Sequence, residues 1–260
     1  MILTHFQQIW RFRALLSALV VRHLTARYRG SVLGFLWSLL NPLGLMAVYT
    51  LVFRFYIRFD GLENYSIFVF AGLLPWIWFT GATSEGTSSI VSSGHLITKS
   101  MFPAQILPAV SVISTLINFL LSLPILFIFM LIAGMGFHLS LLLIPVLVAL
   151  SGLTIYGLVL VLSSINVRYR DVQHILGNIL TFLFFLCPIV YPVSSVPERF
   201  RFTLDLNPVA VTISAFHSVI MDGAFPSLTT LFYLVIVAAI SVCVGVFTFS
   251  RLREGFAELL

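Results

Sequence analysis

Side chains able to do chemistry are few in this chain of 260 residues: nine Asp or Glu, fourteen Lys or Arg and six His. Asp60 and Glu63 form a close carboxylate pair of the kind a membrane glycosyltransferase uses for acid/base work. No histidine or second acidic cluster stands near them, so they read as solvated loop charges. A phosphate cradle of the GxxxxGK[ST] type needs a glycine directly before its lysine. The only lysine, Lys99, follows Thr98, and Ser93 stands where the first glycine belongs. If ATP drives this protein, another polypeptide binds it. Cys187 and Cys243 lie in separate apolar runs with no CxxC and no His-rich neighbour, so neither a zinc site nor a disulfide framework is indicated. No Ser/His/Asp arrangement and no HExxH helix is present. The sequence points away from an enzyme.

What must position these groups is a set of membrane helices. Hydrophobic residues make up 60% of the chain and charged ones 9%, against about 45–50% and about 25% in soluble domains. Such a chain cannot cover its surface with charge, so lipid is its solvent. A helix crossing about 30 Å of hydrocarbon needs roughly 20 apolar residues. The uncharged stretches place six spans near 33–53, 65–85, 106–132, 141–165, 174–192 and 228–250, the third and fourth separated where Gly134 to His138 lowers helix propensity. An even number puts both termini on one side. With that side cytoplasmic, Arg11, Arg13, Arg22, Arg27, Arg29, Lys99, Arg168, Arg170, Arg251 and Arg253 lie inside, and only Arg54, Arg58, Arg199 and Arg201 outside. No cleaved signal peptide is expected, since Met1 to Arg13 has no continuous apolar core.

Before the first span, residues 7–29 read as an amphipathic interfacial helix. Phe12, Leu15, Leu16, Leu19, Val20 and Leu24 share one face, with Arg11, Arg22, Thr25 and Arg29 towards the other. The face suits either a passive membrane anchor or a docking surface for a cytoplasmic partner. Between 193 and 227, Pro197, Pro208 and Pro226 break a semi-apolar stretch into pieces such as 209–221, which predicts short re-entrant external helices before the last span. The span centres carry no charge. Glu85 comes nearest, at the cytoplasmic end of the second span, and reads either as a carboxylate paired with an arginine or as a gate. Aromatic residues crowd the first two spans, most of them facing lipid and a minority lining a path on which rings stack against sugar faces.

The run Arg27-Tyr28-Arg29-Gly30-Ser31-Val32-Leu33-Gly34-Phe35-Leu36-Trp37-Ser38-Leu39-Leu40-Asn41-Pro42 is more particular. After it come Ala71-Gly72-Leu73-Leu74-Pro75-Trp76, Phe102-Pro103 with Leu107-Pro108, Asn166-Val167-Arg168-Tyr169-Arg170-Asp171-Val172, Pro188-Ile189-Val190-Tyr191, Asn207-Pro208 and Phe247 to Leu259. Together, in this order and over nearly the whole chain, they resemble the permease subunit of ABC-2 type polysaccharide exporters, the family that moves O-antigen, capsular polysaccharide and teichoic acid precursors. The resemblance implies one all-α transmembrane domain over 1–260, with six spans and a homodimer in the cytoplasmic (inner) membrane. It implies two copies of a separate ATPase subunit that bind ATP and its magnesium, with no cofactor in this chain. Its cargo would be lipid-linked polysaccharide, O-antigen foremost, with capsule or teichoic acid, or a drug or lipid, as alternatives. Arg22, Arg27 and Arg29 on the interfacial helix, and His95, Leu96 and Lys99 between the second and third spans, would then couple to the ATPase. Tyr49, Phe53, Trp76 and Tyr191 are the candidates for a glycan path. Glu85, Arg168, Arg170 and Asp171 are the candidates for a gate or for structural ion pairs.

Overall fold

A computed structural model describes residues 2–58, 63–99 and 102–260, and among these residues every regular element is helical. The expected interfacial helix is two helices, α1 (Ile2–Arg11) and α2 (Arg13–Tyr28), broken at Phe12. It therefore begins earlier than position 7. The first span is α3 (Trp37–Thr50) prolonged by a π-helical turn over Leu51–Tyr56. Next come α4 (Tyr65–Ser92), the short α5 (Gly94–Lys99), α6 (Ile106–Ile132) and α7 (Ile144–Arg168), which a tight 3-10 turn over Leu139–Leu143 leads into. The chain continues as α8 (Val172–Phe185), α9 (Arg201–Asp205), α10 (Pro208–Ile220), α11 (Leu228–Leu252) and α12 (Phe256–Leu259).

Five helical segments among the described residues are long and apolar enough to cross a membrane: 37–56, 65–92, 106–132, 139–168 and 228–255. The expected fifth span, 174–192, takes another form. Its helix α8 stops at Phe185 after 14 residues, about 21 Å of rise, and turns follow. Pro188 cannot continue a helix, and the side-chain amide of Asn207 donates to the Leu186 carbonyl that the ending helix leaves open.

Most of α4 is buried, whereas almost none of α3 is, although both are apolar. The difference is positional, since α6 and α7 flank α4 while α3 packs only along its surface. Glycines set the closest approaches. A Cβ on Gly157 of α7 would run into the Ser241 backbone of α11, and one on Gly245 would run into the Gly157 backbone. Small residues let backbones approach closely in lipid, where packing rather than water exclusion drives association. Ser241 adds a hydrogen bond to the Thr154 carbonyl at 2.7 Å. Asn166, the first residue of one sequence motif, is buried and donates to the Thr87 carbonyl at 3.0 Å, fastening the end of α7 to α4.

Helix α10 covers the piece expected over 209–221. Pro208, Val209, Thr212 and Ile213 lie beside Pro75, Trp78 and Phe79, well inside α4, while His217 meets Phe68 near the start of α4. Its first turn therefore lies beside the middle of α4, packed among apolar side chains where a bare helix end is costly. Asn207 caps it, its side-chain oxygen accepting from the Val209 N–H at 3.0 Å, and Pro208 has no N–H to satisfy.

Candidate functional site

The apolar face of α2 does not lie open to lipid. Phe12, Leu15, Leu16, Leu19 and Leu24 pack with buried Val20 onto Ile106 and Val110 of α6. That docking presents Arg27, in the last turn of α2, to Glu85 of α4, and the two form an ion pair. His23, one turn back, stands 3.8 Å from the other carboxylate oxygen, too far for a hydrogen bond.

Two cavities meet at this pair. The larger, about 740 Å³, lies between α3, α4, α6 and α8 and is lined by Arg27, Ser31, Ser38, Asn41, Tyr49, Trp76, Glu85, Asn118 and Phe184 among others. Its lining mixes polar and aromatic side chains. Arg27, Ser31, Trp37, Ser38 and Glu85 line it, and along α6 it carries Thr115, Asn118, Phe119 and Ser122. Away from Glu85, Tyr49 stacks on Phe184 with 5.4 Å between ring centroids, and Trp76 meets the same ring edge-on at 5.6 Å. From Ser38 to Tyr49 the wall rises by about 17 Å along α3. The smaller cavity, about 330 Å³, is lined by Arg22, His23, Glu85, His95, Leu96 and a set of serines including Ser88, Ser92 and Ser111. Glu85 belongs to both walls.

Of the glycan-path candidates, Tyr49 and Trp76 line the larger cavity and Phe53 and Tyr191 do not. Phe53 packs against Tyr65, Phe68 and Val69. Tyr191 sits past the end of α8, its hydroxyl donating to the Phe185 carbonyl at 2.8 Å. Of the coupling candidates, Arg22, His95 and Leu96 line the smaller cavity, Arg27 faces the larger one, and Arg29 is exposed just beyond α2. Lys99 closes α5, and its side chain lies outside the described residues, as does Asp60. Glu63 is exposed. Arg168, Arg170 and Asp171 are all exposed, and no ion pair joins them among the described residues. Arg168 instead lies 5.9 Å over the ring of Tyr169.

The sequence reading missed the polar stripe of the larger cavity. Thr115, Asn118 and Ser122 follow an i, i+3, i+7 spacing on an otherwise apolar helix, a signal that one face of α6 avoids lipid. It also missed His5. This residue of α1 is buried, with Nε2 2.7 Å from the Tyr156 hydroxyl and its ring edge-on to Phe249. Burial, helped by the nearby Arg253 charge, lowers its pKa to about 4.

Comparison with known proteins gives a consistent picture. A sequence profile described as "ABC-2 type transporter" matches residues 14–221. The "O-antigen export system permease protein RfbA" of Myxococcus xanthus is 38% identical over 258 residues, 97% of each chain. A protein of the same description from Klebsiella pneumoniae is 30% identical over 95% of each chain. The "Polysialic acid transport protein KpsM" of Escherichia coli is 24% identical over 92% of this chain and 93% of its own.

Proposed function

The chain belongs to the ABC-2 type transporter family, and from that premise we propose that it is the membrane permease of an ATP-driven exporter carrying lipid-linked polysaccharide, O-antigen in kind, outward across the cytoplasmic membrane. The observation that carries this reading is the cavity of about 740 Å³ lined by both polar and aromatic side chains. Arg27, Ser38, Asn41, Thr115, Asn118 and Ser122 suit a hydrated, hydroxyl-rich cargo. Tyr49, Trp76 and Phe184 offer ring faces on which the C–H faces of sugars stack without being trapped by strong hydrogen bonds. An O-antigen cargo is favoured over an acidic capsule polymer by relatedness, 38% identity against 24%.

On this reading both termini, α2 and α5 are cytoplasmic, in keeping with ten basic residues on that side against four on the other. Two copies of the permease stand over two copies of an ATPase, which hold the ATP and magnesium. The nearly unburied α3 offers the face against which a second copy packs. ATPase closure pushes on α2 and α5, where Arg22, Arg27, Arg29, His95, Leu96 and Lys99 are placed. Because α2 is fastened to α4 through Arg27 and Glu85, the push also works on the wall between the two cavities. The ion pair is then the gate at the cytoplasmic end of the path.

Deleting the gene and locating the lipid-linked glycan tests the proposal. Full-length polymer held at the cytoplasmic leaflet, with an empty cell surface, is the expected result. Loss of polymer from both places would mean a role in synthesis, and an unchanged glycan profile would mean a different cargo.

A further inference from the structure

One buried imidazole joins α10 to the central helix, α4. His217 of α10 donates from Nε2–H to the Phe68 carbonyl of α4 at 3.0 Å, and since a carbonyl only accepts, the proton is on Nε2. The same ring lies on the Phe68 ring, 4.0 Å between centroids and 19° from parallel. Gly72, one turn along α4, makes the room. A Cβ there would stand 2.8 Å from Nε2 of His217 and 3.3 Å from the Ile189 backbone. Two segments thus converge on the first two turns of α4: α10 through His217, and the bend after α8 through Ile189 beside Gly72 and through Val190, whose carbonyl accepts from the Tyr65 hydroxyl at 2.7 Å. A leucine would fill the space at less cost, because a buried polar ring is unfavourable without its partner. What histidine adds is a directional bond to the backbone of another helix.

We propose that His217 is a positioning residue for export, making α10 and the Tyr65 end of α4 one mechanical unit. A displacement imposed on α4 near Glu85 is then delivered at the other face as a displacement of α10. Helix α4 suits the task, being one element of 28 residues that stays continuous across Pro75. The inference rests on the export reading above for its purpose, although the linkage itself does not depend on which polymer is carried.

The chain holds its own reporter. Cys187 is fully buried beneath the start of α10, with the Asn207 amide 3.4 Å from its sulfur. The experiment uses the complete exporter with its ATPase in lipid nanodiscs, in a Cys243→Ser background because Cys243 is exposed. N-ethylmaleimide labelling of Cys187 is followed by mass spectrometry alongside ATP hydrolysis. Wild-type His217 is expected to protect Cys187 at rest and to expose it during ATP turnover. His217→Ala and Gly72→Ala should raise the resting labelling rate at least tenfold and remove the ATP-dependent increment, with hydrolysis kept within threefold. His217→Gln, whose amide can still donate, should restore protection. Equal labelling in wild type and His217→Ala would overturn the proposal, as would labelling of wild type that ignores ATP. A His217→Gln variant that fails to assemble together with His217→Ala would reduce the residue to a folding role and overturn it too. If Cys187 responds to ATP as expected while no polymer crosses, the export reading fails and the His217 linkage stands.

Discussion

Replacing Glu85 by Gln removes the charge that holds the last turn of α2 and keeps the side chain's shape. The two partners are three-quarters and two-thirds shielded, with side-chain exposures of 25% for Glu85 and 34% for Arg27. Fully exposed pairs contribute about 0.2–1 kcal/mol, and breaking a fully buried pair costs about 3–5 kcal/mol. This pair lies between those limits, and a loss of about 1.5–2 kcal/mol is expected. Since about 1.4 kcal/mol is a factor of ten in an equilibrium constant, the undocked population of this turn should rise roughly 10- to 30-fold. The apolar face from Phe12 to Leu24 remains seated on α6, so the effect is local to the end of α2. Backbone hydrogen exchange on the assembled complex reads it directly: amides around Ala26 and Arg27 should exchange 10- to 30-fold faster, while those near Leu16 change little. Arg27→Gln should behave alike, and the double variant should cost no more than either single one. Basal ATP hydrolysis should rise in all three as the gate loosens. Additive effects of the two substitutions, or unchanged exchange at Ala26, would refute the gate.

Three further expectations follow from the geometry. Gly157→Leu forces a side chain into the Ser241 backbone, an overpacking of at least about 1–3 kcal/mol, and should sharply lower the yield of folded protein in membranes, whereas Gly177→Leu, where a Cβ meets nothing, should leave it intact. Tyr49→Ala, which removes a ring from the cavity wall, should reduce polymer export several-fold per assembled complex, while Phe53→Ala, whose ring does not line the cavity, should leave export per assembled complex near wild type; the measurements are surface polysaccharide and thermal melting of the detergent-solubilised complex. Docking of α1 should depend on pH through His5, because the undocked imidazole binds a proton near 6.5 and the buried one only near 4. The docked state therefore holds its full stability above about pH 6.5 and loses it as pH falls towards 4, by up to about 3 kcal/mol. Proteolysis at the N-terminus should show that dependence, and His5→Gln should abolish it.

How far these features could be read from sequence depends on what each residue needs in order to act. Lipid as the solvent makes long apolar runs legible one by one, so α4, α6, α7 and α11 fall close to where hydropathy puts them. The fifth run forms a helix shorter than the run itself, for a reason hydropathy does not weigh. It supplies enough apolar residues to span, but Pro188 ends its helix, and the open carbonyl at Leu186 is met by Asn207, 21 residues further on. The same limit hides His5, His217 and Gly72, whose partners lie in other helices and whose own neighbourhoods look like ordinary apolar helix. Glu85 stands out in the sequence because a carboxylate at a span's end needs a partner, yet nothing local says which arginine answers it.

The aromatic candidates show the limit most sharply. Tyr49 and Phe53 are four residues apart on one helix, so in a regular α-helix they share a face, and choosing one for the path entails choosing the other. In the structure both rings do pack on Tyr65, Phe68 and Val69, yet only Tyr49 of the two also lines the cavity. A π turn takes up more residues than an α turn and rotates whatever follows it. Tyr49, before the turn over Leu51–Tyr56, reaches both Phe184 and that cluster, while Phe53, within the turn, reaches the cluster without lining the cavity. Both rings join the first span to the cluster holding Phe68, the residue on which His217 rests. If the π turn is a working part of the path, removing one residue from it, for instance by deleting Val52, restores a regular helix, swings Phe53 and the rings after it off their places, and weakens the hold of the first span on that cluster. Such a variant should export poorly even where Tyr49, Trp76 and the Arg27–Glu85 pair are untouched, and Cys187 should label faster in it. Normal export by the deletion variant would show that the turn only accommodates packing.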